Sequence, residues 1–390
     1  MVNLDTYRRI NTIIERDSAD ATYKYALLRG VIEICQQSSY RREDGDQVWF
    51  PLGLLVEKWI LYYYPLFASP KFIPQKHGET KEPAAGRGVS FRKHFTPVID
   101  YYADKGGFSG FYNDYTRGTI PPGIRSGVQS LATNIRNTIV QMPMKHLGYS
   151  QTKKYYSVFQ YKLPSRRITR GQLFDSVFLA ENFGWFSLSR DLCTVFEYFG
   201  SFISGEECLL KKWAEFTARA AVKIRGGTET EEVTEEQVLT LLMTTPTTER
   251  ATEDARQIYR SLFDKEGSII CVWSGKPIRS LSAMQIDHVL PFSIWKNNDL
   301  WNLLPARSSV NAKKNNRIPS VSFLDQRRDC IVDYWNLLHE RAPQKFSREI
   351  SVSLLGSRTL GDDWEEQAFN QLKEKCVYLT DIRGYEAWAM

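Results

Sequence analysis

CVWSGKPIRS at 271–280 and QIDHVLPFSIWKNNDLWNLLPARSSVNAKKNNRIPS at 285–320 are the two pieces of sequence that decide how this chain is read. The centre of the longer piece is Asp287-His288. Fourteen residues past His288 stands Asn302, and then come Asn311 and Lys314 in an Asn-x-x-Lys arrangement. An acid beside a histidine is common by chance, but the company it keeps here is not. Asp and Asn side chains offer hard oxygen donors, which suit Mg²⁺ better than zinc. A histidine with an ordinary pKa of about 6.5 can take up a proton near neutrality. Alternation along a strand would send Asp287 and His288 to opposite faces unless the backbone kinks.

This order and spacing resembles the HNH (ββα-metal) endonuclease family. The run from Asp287 to Lys314 looks most like the HNH domain of the RNA-guided CRISPR nucleases. The likeness extends over about residues 268–319 only, and no guide-binding apparatus is visible elsewhere. It implies a fold of two strands and a helix around one Mg²⁺ (or Mn²⁺) ion. Asp287 and Asn311 would be the metal ligands and His288 the general base that activates water. Asn302 would pin the loop that holds the histidine. Lys314 would face the phosphate, helped by Lys313 and Arg317. Two plainer readings stand beside these: Asn311 as a helix-surface residue, and Lys313 and Lys314 as a solvated face.

Many HNH domains brace their fold with zinc held by two Cys-x-x-Cys pairs. Here Cys271 is followed by Ser274 where the second cysteine would stand, and the next cysteine is Cys330. Four sulfur ligands cannot be assembled locally. The expectation is therefore no structural zinc, with packing around Val272, Trp273, Leu290 and Trp295 in its place and a hairpin corner at Ser274-Gly275.

The chain of 390 residues is long enough for two or three domains. Ten tryptophans support real cores, and a net charge of +6 permits nucleic-acid binding without requiring it. The cysteines at 35, 193, 208, 271, 330 and 376 are too scattered for a disulfide framework, which fits a reducing compartment. No apolar run approaches the length of about 20 residues that spans a bilayer, and the N-terminus lacks a signal core. A cytoplasmic protein is expected, with no membrane partner.

Upstream of the motif, ADATYKYALLRGVIEIC (19–35) sets Tyr23, Leu27, Gly30, Val31 and Ile34 on one helical face. FPLGLLVEKWILYYYP (50–65) reads as a central helix stopped by Pro65. PKFIPQKHGETKEPAAGRG (70–88) and GGFSGFYNDYTRGTIPPG (106–123) read as loops. YYSVFQYKLP (155–164) alternates like a strand. The turn after it carries Arg166, Arg167 and Arg170, a candidate nucleic-acid contact or simply a solvated turn. Residues 172–222 read as helices. GGTETEEVTEEQ (226–237) is acidic and marks a boundary.

The resulting expectation is a mainly α, α+β protein. A helical recognition or regulatory domain with a few strands would span 1–225, and an acidic linker with connecting helices 226–256. An HNH nuclease module would follow at 257–345, packed with a C-terminal helical extension at 346–390. The activity implied by the resemblance is metal-dependent hydrolysis of DNA, in restriction or phage defence, by a protein acting alone, as a homodimer or with a partner. The alternative is a nuclease subunit or adaptor of a multi-protein defence complex, silent until a partner binds its N-terminal domain.

Overall fold

The computed structural model describes residues 4–16, 20–37, 40–81, 88–147, 158–165, 173–204, 206–222, 233–356 and 360–390. The turn with Arg166, Arg167 and Arg170, and the acidic stretch up to residue 232, lie outside the described residues. The chain divides into two compact units, Met1–Thr247 and Thr248–Met390. Helix Glu235–Met243, which the sequence placed in a connecting segment, belongs to the first unit; helix Glu253–Glu266 belongs to the second. The architecture is mainly helical with small sheets. Among the described residues no helix is long and apolar enough to cross a membrane.

In the first unit, helix Tyr23–Gln37 packs against helix Leu52–Ala68. Gly30 permits the close approach: a Cβ there would meet Leu55 Cδ2 at 2.9 Å. Helix Leu52–Ala68 runs through Pro65 instead of ending at it. Pro65 lies in the last turn, so few residues depend on the one helix bond it removes, and Tyr64 and Leu66 on either side of it are buried. The stretch 106–123 is also not a loop. Helix Gly107–Arg117 lies between Gly106 (φ 86°) and Gly118 (φ 67°), whose left-handed conformations bound it. Its Phe108 and Phe111 stack on Tyr64 at ring separations of 4.9 and 5.6 Å. The described strands of this unit, β1 (Arg42–Asp44), β2 (Gln47–Pro51), β3 (Gln160–Lys162) and β4 (Trp185–Ser189), form one antiparallel sheet in the order β1-β2-β4-β3. β4 falls where the sequence read helix, because a short apolar run fits either element.

In the second unit, β5 (Ile269–Ile270) pairs with β6 (Pro277–Ile278), and β7 (Met284–His288) with β8 (Leu303–Arg307). β9 (Ile318–Pro319) pairs in parallel with β10 (Ala387–Trp388). The corner after β5 turns at Gly275 (φ 66°), whose N–H bonds Cys271 O at 2.9 Å. The Cys271 sulfur accepts the Arg307 N–H at 3.3 Å. Val272, Trp273, Leu290, Trp301 and Trp335 share one core with helices Val321–Arg341 and Trp364–Val377. The C-terminal residues therefore complete the core around the motif, and Trp295 is half-buried at its edge.

Candidate active site

β7 delivers Asp287 and His288 at its C-terminal end, paired with Leu304 and Leu303 of β8. β8 runs directly into helix Ser308–Lys314, which carries Asn311 and Lys314. Two strands and a helix thus converge on a cleft of about 460 Å³. Asp287, His288 and Asn311 line it together, along with Arg250, Phe292 and Lys296.

The loop between the strands is held by Asn302, which is fully buried. Its Oδ1 accepts the Leu290 N–H at 2.8 Å, and its Nδ2 donates to the carbonyls of Leu290 and Asn297, both at 3.2 Å. One side chain therefore staples the residues that follow His288 to the start of β8.

Asp287 is 4% exposed. Its Oδ2 accepts the indole N–H of Trp273 at 2.6 Å and lies 3.2 Å from the Lys314 ammonium. Lys314 is 0% exposed, and its ammonium also donates to His288 O at 2.6 Å. The sequence reading had Lys314 facing a phosphate. In this geometry the helix turns its ammonium inward onto Asp287, because the buried carboxylate needs a counter-charge. Burial holds the Lys314 pKa below its ordinary value, although Asp287 pulls the other way. Arg317 is likewise engaged: it donates to Lys313 O and to Lys314 O, and it pairs with Glu386 at 3.4 Å. Lys313 is exposed on the helix surface.

His288 is 1% exposed, with its ring 5.2 Å from that of Phe292. Nε2 lies 3.2 Å from Asn298 Oδ1, and Nδ1 is buried without a hydrogen-bond partner. Burial, reinforced by the Arg250 charge, pushes its pKa down to about 3, so the imidazole is neutral at physiological pH.

Three residues at this site escaped the sequence reading as site residues: Trp273, Asn298 and Arg250. Trp273 was read only as packing. Asn298 lies in a polar turn, WKNND, with nothing to single it out. Arg250 stands far upstream of the motif; it reaches the cleft by donating to Ile286 O of β7 at 3.1 Å.

The donor set fits a hard divalent ion. Asp287 and Asn311, whose side chains carry oxygen, both line the same cleft. Among the described residues no group of three or more His, Cys, Asp or Glu side chains could hold a metal. An ion here would therefore have few protein ligands and would keep water or substrate oxygens around it.

Two family models match the chain. The model of a domain of unknown function, DUF8808, matches residues 3–242, and that of the HNH endonucleases matches residues 271–320. The first covers more than half of the chain, so the chain belongs to the DUF8808 family. Its C-terminal part carries an HNH endonuclease domain, a class that acts on nucleic acid. No curated protein and no solved structure matches the chain.

Proposed function

We propose that this protein is a metal-dependent HNH endonuclease that hydrolyses DNA phosphodiester bonds at the Asp287–His288–Asn311 cleft. The observation that carries the reading is a neutral histidine with an unpartnered ring nitrogen, set in the wall of a cleft it shares with two oxygen donors. His288 takes a proton from water as that water attacks phosphorus. A base with a pKa near 3 is weak; burial is the first cause of the depression and the Arg250 charge adds to it. A phosphate anion beside Arg250 offsets that charge and returns part of the basicity to the imidazole when substrate is present. Arg250 thereby takes the phosphate-facing role first given to Lys314. Asn302 keeps the loop after His288 in register, and Lys314 balances the charge of Asp287. Asp287 and Asn311 would hold Mg²⁺ or Mn²⁺, which when bound supplies positive charge for the leaving 3′-oxygen. Products are 5′-phosphate and 3′-hydroxyl ends. One such site cuts one strand, so a double-strand break requires a homodimer or a second nick. Target recognition falls to the first unit, and the setting is cytoplasmic restriction or phage defence. These last assignments rest on architectural analogy.

A second reading has a specific observation in its favour. His288 and Asp287 are almost entirely covered, and Asp287 already has a cation. Such a site suits a nuclease subunit of a defence complex that stays silent until a partner binds. Supercoiled plasmid incubated with the purified chain and Mg²⁺ separates the two. Relaxed circles that form with Mg²⁺ and vanish with EDTA support the first reading. An inert chain that cuts only after a partner is added supports the second. Cutting that persists undiminished in EDTA contradicts both.

A further inference from the structure

The histidine's partner, Asn298, is itself held by backbone. Its Oδ1 accepts the Ala251 N–H at 3.1 Å, and its Nδ2 donates to Glu249 O at 2.9 Å. Those two bonds leave only one orientation of the amide. Reversing it would place NH₂ against an N–H and oxygen against a carbonyl, losing both bonds. The oxygen that Asn298 turns toward His288 Nε2 is therefore an acceptor, so Nε2 carries the hydrogen. Nδ1 is then the atom with the lone pair, and it is also the atom that the fold leaves buried and unpartnered. A buried polar atom without a partner calls for an explanation, and the place of His288 among the residues lining the cleft supplies one.

We propose that Asn298, oriented by the backbone of Glu249 and Ala251, is a positioning residue that locks His288 in the Nε2–H tautomer and so makes Nδ1 the proton acceptor. The strap 249–251 lies outside the span matched to the endonuclease family, so a segment beyond the motif sets the chemistry of the motif. Arg250, between the two anchoring residues, ties the same strap to β7 through Ile286 O. In the reaction, water gives one proton to Nδ1 while its oxygen bonds to phosphorus. The P–O3′ bond breaks, and the 3′-oxygen takes a proton from solvent. The imidazolium holds its Nε2–H on Asn298 Oδ1 throughout and then releases the Nδ1 proton to solvent.

The catalytic step rests on the nuclease reading, but the tautomer does not. The test is the imidazole ¹⁵N–¹H long-range correlation spectrum of the full chain labelled with ¹⁵N-histidine, free of metal and DNA. The chain has five histidines, and His288→Gln assigns the signal. Wild type should show a protonated Nε2 and a bare Nδ1 at His288. Asn298→Asp, which keeps an acceptor, should retain that pattern. Asn298→Leu, which has none, should lose it, and kcat for plasmid nicking should fall by about a hundredfold with little change in KM. A protonated Nδ1 in the wild-type spectrum would overturn the assignment without any variant having to fold. So would an Asn298→Leu protein with unchanged tautomer and kcat. If the spectrum is as expected but no preparation cuts nucleic acid, the nuclease reading fails and the tautomer assignment stands.

Discussion

Glu79 in the first unit and Asp287 in the second are both buried acids that face a basic side chain, yet they are completed to different degrees. Glu79 is 0% exposed and accepts the N–H groups of Gln75 and Val89 at 2.7 and 3.0 Å. Arg92 adds two donors, Nε at 2.8 Å and Nη2 at 3.0 Å, while also bonding Ile73 O and lying over Phe67. Every direction around that carboxylate is used, and the result ties the backbone at Gln75 to that at Val89. Asp287 has an indole and an ammonium, borders a cleft, and is followed by a histidine with an idle nitrogen. Among buried polar groups, a saturated network specifies structure. One left a partner short beside open space marks where a ligand belongs.

Breaking the saturated pair should cost the most stability. Arg92→Leu strands Glu79 in the core and should destabilise the first unit by about 3–5 kcal/mol in urea unfolding. Cleavage per folded molecule should be untouched. A loss below about 1 kcal/mol would reduce the pair to an ordinary surface bridge.

Lys314→Met tests the open site. With EDTA the loss should sit at the low end of that range, about 3 kcal/mol, because the cleft admits water to Asp287. Saturating Mg²⁺ should restore much of it, about 2.7 kcal/mol at a hundredfold excess over Kd. A loss that ignores Mg²⁺ would mean that Asp287 holds no ion.

A third acid, half-buried, sets a dependence on pH. Glu349 accepts the Leu300 N–H at 2.7 Å, beside Asp299, Asp254 and Lys345. Burial, followed by the Asp299 charge, pushes its pKa up to about 8 from the ordinary 4.5. The folded state therefore binds the extra proton between those values. That contribution is whole below about pH 4.5 and is lost as pH rises through 8, by up to about 1.4 kcal/mol per unit. Glu349→Gln should flatten the unfolding free energy measured at pH 5, 6.5 and 8. An unchanged slope would assign the pH dependence to another group.

The motif was legible in the sequence because its parts are local. Asp287, His288, Asn302 and Asn311 lie within one short strand–loop–strand–helix, and spacing alone brings them together. What spacing cannot say is which partner a buried side chain chooses. Lys314 turned inward because Asp287 is almost wholly buried, a tertiary fact absent from Asn-x-x-Lys. Arg250 and Asn298 were invisible because their roles depend on the strap at 249–251 reaching the motif. In the first unit, the glycines at 106 and 118 were read as loop material, although they stand at the ends of a helix whose aromatics recur at helical spacing. Pro65 was read as a stop although packing carries the helix one further turn.

The most direct measurement is nicking of supercoiled plasmid by wild type and His288→Ala, with Mg²⁺ and equal concentrations of folded protein. Wild type should nick, and the variant should be slower by about 10²–10⁴ while its unfolding midpoint is retained. Equal rates for the two proteins would remove His288 from the chemistry and contradict the assignment of the cleft as the active site.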